Sequence, residues 1–185
     1  MFKKSNTVKL LQEKLALGVY EYPWAQKNNP ILYKYILSLP KEETNTTGVV
    51  YSTHITKRNL YEYKEVQPLL KWIIQILKKD FILSNNTKPY QLSSNHYSLK
   101  CVEMWGIIYK KGEGIVPHTH HPRTYAFSYY VNAPKSSSPL VFPTSGHKIK
   151  PKMGQLVICE SRLLHEVPKA KVDDRCIIAG CFSVV

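Results

Sequence analysis

Short apolar runs separated by closely spaced turn signals make up the second half of this chain. Five runs rich in β-branched and aromatic residues follow residue 98, with Gly, Pro and Ser clusters between them. The runs lie at residues 98–110, 125–132, 140–142, 155–160 and 175–184. Strands this short and this closely spaced pair as antiparallel neighbours and need a second layer to cover their apolar faces. The pattern therefore predicts an antiparallel sandwich or barrel.

The first half has a different texture. Residues 67–80 predict a helix, with Pro68 in its first turn and apolar side chains at helical spacing. The side chains of its apolar face are Leu70, Ile73, Ile74, Leu77 and Phe81. Residues 7–17 predict a weaker helix, and residues 48–55 a strand. The 185 residues therefore predict one α+β domain, in which residues 1–97 support a β-rich core at 98–185.

Composition excludes several classes of protein. No apolar run approaches the roughly 18 residues that a membrane span needs, and no signal-peptide pattern follows the basic start, so we expect a cytoplasmic protein. The four cysteines form no C-x-x-C pair and are interpreted as buried free thiols. The formal charge of +13 is spread along the chain, with 15 Lys and Arg against 7 acids before residue 101 and 11 against 6 after it. Because no segment concentrates this charge, nucleic-acid binding is not the favoured interpretation.

A histidine cluster is the strongest chemical signal. Alternate side chains of an extended segment share a face, so His118 and His120 can address one point, with His121 facing away. Two imidazoles from one strand and a distant third group are typical of an open transition-metal site. Isolated histidines are more often structural, and His54, His96 and His147 are interpreted in that way.

Two later residues extend this pattern. His165 follows an apolar strand, and Arg175 opens the last apolar strand ten residues further on. An arginine in such a strand is costly to bury without an anion. The anion is either the carboxylate of a ligand or one of the acids of this chain. The acids considered are Glu160, Asp173 and Asp174.

The order of these residues resembles that of the iron(II)/2-oxoglutarate-dependent oxygenases, and most closely that of the prolyl-4-hydroxylase-like branch with its short phage and bacterial members. The segments that carry the resemblance are WGIIYKKG at 105–112, PHTH at 117–120, YYVNAP at 129–134, KMGQLVI at 152–158 and LLHEVP at 163–168. Residues 98–185 match closely and the first half only loosely. Each segment alone is weak evidence for the family, and the resemblance becomes specific through the order and spacing of the segments.

The resemblance implies a double-stranded β-helix, or jelly-roll, core that N-terminal helices support. It implies that His118 and His165 are Fe(II) ligands, and that Arg175 and the Tyr109 hydroxyl bind the far carboxylate of 2-oxoglutarate. The implied activity is a dioxygenase reaction that uses O₂ to hydroxylate a C–H bond. Kinship of fold does not identify the primary substrate. Peptides and nucleotides or nucleic acids are both open, and no membrane partner is expected.

Three departures from the family pattern matter. His120 stands where the family usually has Asp or Glu. The favoured interpretation is that His120 completes a three-histidine site, because alternation aims it at the metal, with His121 as the alternative if a bulge shifts the register. Otherwise His120 stands aside from a two-histidine iron or marks an inactive site. Glu160 is a solvated carboxylate, a partner of Arg175 or a substitute ligand, and Ile177 replaces a Ser or Thr that would bind the oxoacid.

Three classes of function follow. The first and favoured one is the 2-oxoglutarate-dependent dioxygenase. The second is a three-histidine cupin-type metalloenzyme that does not use 2-oxoglutarate. The third is a catalytically inactive jelly-roll binding protein whose basic surface holds an acidic partner.

Overall fold

The computed structural model describes residues 16–44, 50–82 and 98–185. Two helices precede most of the strands, and two antiparallel sheets form the body of the fold, as the sequence predicts. The elements of the first half are β1 (Leu17–Glu21), α1 (Ala25–Ser38), β2 (Glu42–Thr44), β3 (Val50–Ser52) and α2 (Gln67–Ile76). The strands of the second half are β4 (Leu99–Tyr109), β5 (Ile115–His118), β6 (Tyr125–Asn132), β7 (Leu140–Phe142), β8 (His147–Ile149), β9 (Gln155–Glu160), β10 (His165–Val167) and β11 (Arg175–Val184).

The larger sheet has seven strands in the order β1-β9-β6-β11-β4-β3-β2. Its central strands are buried on both faces, because the helices cover one face and the second sheet covers the other. Along β6, Phe127 and Tyr129 face the helices, while Ala126 and Tyr130 face the second sheet. This double burial explains why β6, β9 and β11 have nearly continuous apolar sequences.

The smaller sheet has the order β5-β10-β7-β8, and its strands have only three or four residues each. β5 and β10 pair His118 with His165 and Ile115 with Val167, with a register shift between the two pairs. The residues that the two sheets bury between them form a second core cluster, separate from the cluster beneath the helices. The two sheets therefore form a sandwich, with positions for side chains in its interior.

Helix α1 is missing from the sequence prediction. Its polar start and the internal Pro30 interrupt the apolar periodicity, and Pro30 also lacks the N–H that a helix interior uses. Tertiary contacts hold it instead. The amide of the buried Asn29 donates to the Val131 carbonyl at 2.8 Å. A Cβ on Gly106 would lie 2.7 Å from Ile36 Cγ2, so the glycine lets α1 lie directly on β4.

The other predictions for the first half have mixed outcomes. Residues 67–80 are helical as predicted, with Pro68 in the first turn, but from Leu77 to Ile82 the helix continues as a π-helix. The strand predicted at 48–55 is confirmed for Val50–Ser52, residues 53–55 form a bend and turn instead, and residues 48–49 lie outside the described residues. The helix predicted at 7–17 lies mostly outside the described residues, and it is wrong at Leu17, which begins β1.

The five strands predicted for the second half all form, within one residue of their predicted bounds. The glycines at the predicted turns, Gly112, Gly146 and Gly154, have φ angles of 92°, 70° and 83°, which L side chains rarely adopt. All four cysteines are free thiols, and three of them are buried. Within the described part of the chain, no helix is both long and apolar enough to cross a bilayer.

Candidate metal centre

Three imidazoles meet at one end of the sandwich. His118 is the last residue of β5, His120 follows it two residues later, and His165 begins β10. One nitrogen from each ring lies within 4.8 Å of the corresponding nitrogens of the other two. Antiparallel pairing places His118 directly opposite His165, and the His120 amide, which donates to the Ser161 carbonyl at 2.7 Å, fixes the segment after β5. This spacing suits three ligands of one metal ion.

Hydrogen bonds to the backbone orient two of the rings. Nδ1 of His118 lies 2.9 Å from the Val116 carbonyl, and Nδ1 of His165 lies 2.8 Å from the Leu163 carbonyl. A carbonyl only accepts, so each Nδ1 carries the proton and each Nε2 keeps a free lone pair. Metal-binding histidines in proteins usually have this arrangement.

The environment keeps the cluster uncharged. Burial, with smaller contributions from the neighbouring His165, His118 and His54, lowers the pKa of His120 to about 3. Burial and the nearby His118 lower the pKa of His165 to about 4. Burial also lowers the pKa of His118, against its bond to the Val116 carbonyl. Neutral imidazoles are the form that binds metals, so protons compete only weakly for this cluster near neutral pH.

A cavity of about 140 Å³ extends from the histidines into the sandwich, and both sheets line it. Tyr109 and Ile177 of the larger sheet and Leu140 and Val167 around the smaller one supply much of its wall. The apolar walls exclude water and so strengthen any electrostatic contact made inside.

Arg175 lies behind this cavity with only 1% of its surface exposed. Its guanidinium stacks on the rings of Tyr109 and Tyr130, at 4.7 and 5.2 Å from their centroids. Nε and Nη1 of Arg175 and the Tyr109 hydroxyl have no hydrogen-bond partner within the described residues. Burial raises the pKa of Tyr109 to about 12, against the effect of Arg175, so the hydroxyl stays protonated. A buried cation with unused donors is suited to binding an anion.

The acids considered as partners of Arg175 all have other contacts. The Glu160 carboxylate accepts from Arg162 Nε at 3.0 Å and from the Ala16 amide at 3.0 Å. The Asp173 carboxylate accepts from a backbone amide, and the Asp174 carboxylate accepts from the Tyr33 hydroxyl. The internal salt bridge is therefore absent from the described residues, and Glu160 is not a member of the histidine cluster.

The other histidines of the sequence have different positions relative to the cluster. His120, rather than the exposed His121, joins the cluster, as the alternation argument indicates. His147 is exposed on β8, and His96 lies outside the described residues. His54, interpreted from the sequence as a structural histidine, lines the cavity, and its ring meets Trp105 edge to face, 4.6 Å between centroids. The sequence holds no signal for this, since His54 lies on a turn far from the cluster in the chain.

Tyr130 also lies at this site, although the sequence indicates only that it occupies a strand face. It pairs with Ile177 across β6 and β11, on the face of the sheet that carries Arg175. Strand alternation places it on that face, but only the pairing of β6 with β11 brings it beside the arginine.

A seven-stranded sheet and a four-stranded sheet that together enclose a histidine cluster form a double-stranded β-helix. No model of a known protein family and no curated protein matches this sequence. Solved structures do match. A viral collagen prolyl hydroxylase from Paramecium bursaria Chlorella virus-1, bound to 2-oxoglutarate, is 16% identical, with 90% of this chain and 94% of that chain covered and a TM-score of 0.64.

Two further matches have the same fold. A prolyl-4-hydroxylase from Pseudomonas putida is 17% identical, covers 91% of this chain and 92% of its own, and has a TM-score of 0.66. HygX from Streptomyces hygroscopicus, with nickel and 2-oxoglutarate bound, is 10% identical over 91% and 83% of the two chains, with a TM-score of 0.61. The chain therefore has the fold of the prolyl-4-hydroxylases and related 2-oxoglutarate oxygenases, as the resemblance predicts.

Proposed function

We propose that this protein is a non-haem Fe(II)- and 2-oxoglutarate-dependent dioxygenase that hydroxylates a C–H bond of a peptidyl or nucleotide substrate. The observation that carries the proposal is the buried guanidinium of Arg175, whose Nε and Nη1 have no partner among the described residues, beside the cavity that extends from the histidine cluster. A metal site alone has no need for such an arginine. A site that binds a dicarboxylate through a metal at one end and a cation at the other needs both.

The three histidines are the proposed iron ligands, and their donor set fits a divalent transition metal. His118, His120 and His165 offer nitrogen atoms only, which suits iron, copper, nickel or zinc and does not suit magnesium or calcium. Three ligands on one side of an ion leave the positions opposite them free. Fe(II), with 2-oxoglutarate and O₂, would supply the oxidising chemistry there by decarboxylation of the oxoacid to succinate.

The remaining residues would bind and orient the cosubstrate. Arg175 would donate its Nε–H and Nη1–H to the far carboxylate, and the Tyr109 hydroxyl would add a third hydrogen bond. Ile177 offers no hydroxyl at this point, so the carboxylate depends more heavily on Arg175. The apolar wall would exclude water from the reacting centre. The whole of 1–185 is proposed as one functional domain, with residues 98–185 as its core.

A second candidate is a three-histidine cupin-type metalloenzyme that uses O₂ without 2-oxoglutarate. It is favoured by the all-imidazole ligand set, because His120 occupies the place of the usual carboxylate. It provides no role for the buried Arg175, whose Nε and Nη1 have no partner among the described residues. An inactive binding protein would likewise have no need for three histidines whose lone pairs converge.

The test is anaerobic titration of the metal-free protein with Fe(II) and then with 2-oxoglutarate. A weak visible charge-transfer band that needs both additions is expected, followed by 2-oxoglutarate-dependent succinate formation in air. Arg175→Gln should abolish the response to 2-oxoglutarate and leave iron binding intact. Iron binding without any response to 2-oxoglutarate would favour the cupin-type candidate. Failure to bind iron would refute both metalloenzyme proposals and favour a binding protein.

A further inference from the structure

The cavity has a second polar end, opposite the arginine. Trp105 and Tyr109 lie four residues apart on one face of β4, which separates them by about 13 Å along the strand. Arg175 stacks on Tyr109 at one end. At the other end the ring of His54 contacts Trp105, and the Trp105 ring lies 6.0 Å from that of His120. The half-buried His54 and the exposed Ile55 next to it mark this as the end that opens to solvent.

Unused hydrogen-bond donors converge at this open end. Neither the His54 ring nor the Trp105 indole N–H has a hydrogen-bond partner among the residues that the structure describes, although both side chains line the cavity. The turn that carries His54 also fixes Arg58, whose Nε donates to the His54 carbonyl at 2.6 Å. The Arg58 charge lies near enough to lower the pKa of His54, whose main shift comes from burial.

Negative charges are absent from the described lining of the cavity. Four histidines and no Asp or Glu occur among the described residues that line the cavity. Glu103 opposes the lowering of the His54 pKa by burial and by Arg58, and the Glu103 carboxylate is already paired with Arg123 at 3.3 Å. Beyond the cavity, the chain has a formal charge of +13. The open end is therefore rich in donors and positive potential.

We infer that the primary substrate carries an oxyanion, a carboxylate or a phosphate, which the open end of the cavity receives at His54, Trp105 and Arg58. This inference rests on the proposed function, which places the reacting centre at the histidine cluster. An anion bound at the open end would hold the adjoining part of the substrate near the metal centre, on the side where the Trp105 ring faces that of His120. The guanidinium of Arg58 suits bidentate contact with either oxyanion, and the indole and imidazole N–H groups add single bonds. His54 and Arg58 are thus specificity-determining residues.

The experiment measures anion binding on metal-free protein labelled with ¹⁵N-histidine, at constant ionic strength. Inorganic phosphate and acetate are the probes, and the His54 ring resonances and the tryptophan fluorescence are the readouts. A saturable change with one or both probes is expected, and the stronger probe identifies the phosphate or the carboxylate class. Arg58→Gln and Trp105→Phe should each weaken binding, Arg58→Gln by tenfold or more. Lys148→Gln removes the same charge from an exposed site on β8 and should have no effect.

Three results would overturn the inference. A non-saturable response, or an equal loss in Arg58→Gln and Lys148→Gln, would mean that the anions respond only to the overall charge. Loss of binding in Arg175→Gln but not in Arg58→Gln would place the anion at the inner end of the cavity. That last result would leave the proposed function standing. Conversely, saturable binding at His54 in a protein that never binds 2-oxoglutarate would support the open-end site and refute the proposed dioxygenase.

Discussion

Replacing Arg175 with Met should have opposite effects on stability and on 2-oxoglutarate binding. In the ligand-free protein the guanidinium is buried and two of its N–H groups have no partner among the described residues. Each unsatisfied buried donor costs about 1–3 kcal/mol, and the two tyrosine rings return about 1–2 kcal/mol through their contact with the cation. Met fills a similar volume without polar atoms. We therefore expect the free energy of unfolding to rise by about 1–3 kcal/mol.

The effect on binding has the opposite sign. Two charge-assisted hydrogen bonds to a carboxylate contribute about 3–6 kcal/mol, so their loss should weaken 2-oxoglutarate binding by roughly 10²- to 10⁴-fold. The wild-type protein should gain about 2.7 kcal/mol of stability at a 2-oxoglutarate concentration of 100 times Kd. The variant should gain almost nothing at the same concentration.

Urea denaturation measures both effects in one experiment. The protein is unfolded with a redox-inert divalent metal present, with and without 2-oxoglutarate. Arg123→Met is the matched control, because Arg123 is a half-exposed arginine whose surface bridge to Glu103 contributes at most about 1 kcal/mol. That control should keep the stabilisation by 2-oxoglutarate. If Arg175→Met is less stable than the wild type without ligand, Arg175 is satisfied internally and the reasoning from its unpaired donors is refuted.

Three further outcomes concern the histidines. His165→Ala should weaken Co(II) binding, measured by calorimetry, by at least roughly a hundredfold. The control His147→Ala changes an exposed position on β8 and should bind Co(II) normally. Equal affinities in the two variants would contradict the proposed ligand set. His120→Ala should also lose Co(II) affinity and His120→Asp should regain it, because a carboxylate is a ligand too; normal binding by the alanine variant would mean that two imidazoles suffice. Lowering the pH from 7 to 5 should destabilise the metal-free protein, because His120 and His165 have folded pKa values of about 3 and about 4, below the ordinary 6.5. The histidines of the unfolded state then take up protons before those of the folded state, so each of the two lowers the free energy of unfolding by about 2 kcal/mol. A urea midpoint that stays constant between these pH values would refute the pKa assignments.

The sequence predicted the strands of the second half and helix α2, because residue spacing and turn signals within each segment determine these elements. The strands of the second half form because runs such as residues 125–132 are dense in aromatic and β-branched residues and end at turn signals. Helix α2 forms where its apolar spacing and Pro68 indicate. Helix α1 could not be predicted from the sequence, because burial against β4 and β6, rather than its own apolar periodicity, stabilises it.

The candidate site divides in the same way. His118 and His120 lie two residues apart, and alternation along an extended segment predicts that they address one point. In the structure β5 ends at His118, and the bond from the His120 amide to the Ser161 carbonyl holds the second ring in place. Resemblance to a known residue order was needed to add His165 and Arg175, which lie more than forty residues further along the chain. His54 and Tyr130 reach the site only through strand pairing and a turn, and no pattern in one sequence encodes such contacts.

The unequal lengths of the strands in the two sheets determine which part of the molecule opens most readily. β4 and β11 pair along ten residues, whereas β5 and β10, which carry His118 and His165, share only two paired positions. Amide protons of the smaller sheet should therefore exchange with solvent through local opening at a small fraction of the global unfolding free energy. An ion bound to both strands closes that opening. Because 2-oxoglutarate would join this ion to Arg175 on β11, the cosubstrate would also connect the less stable sheet to the more stable one, and substrate turnover would release that connection in every cycle.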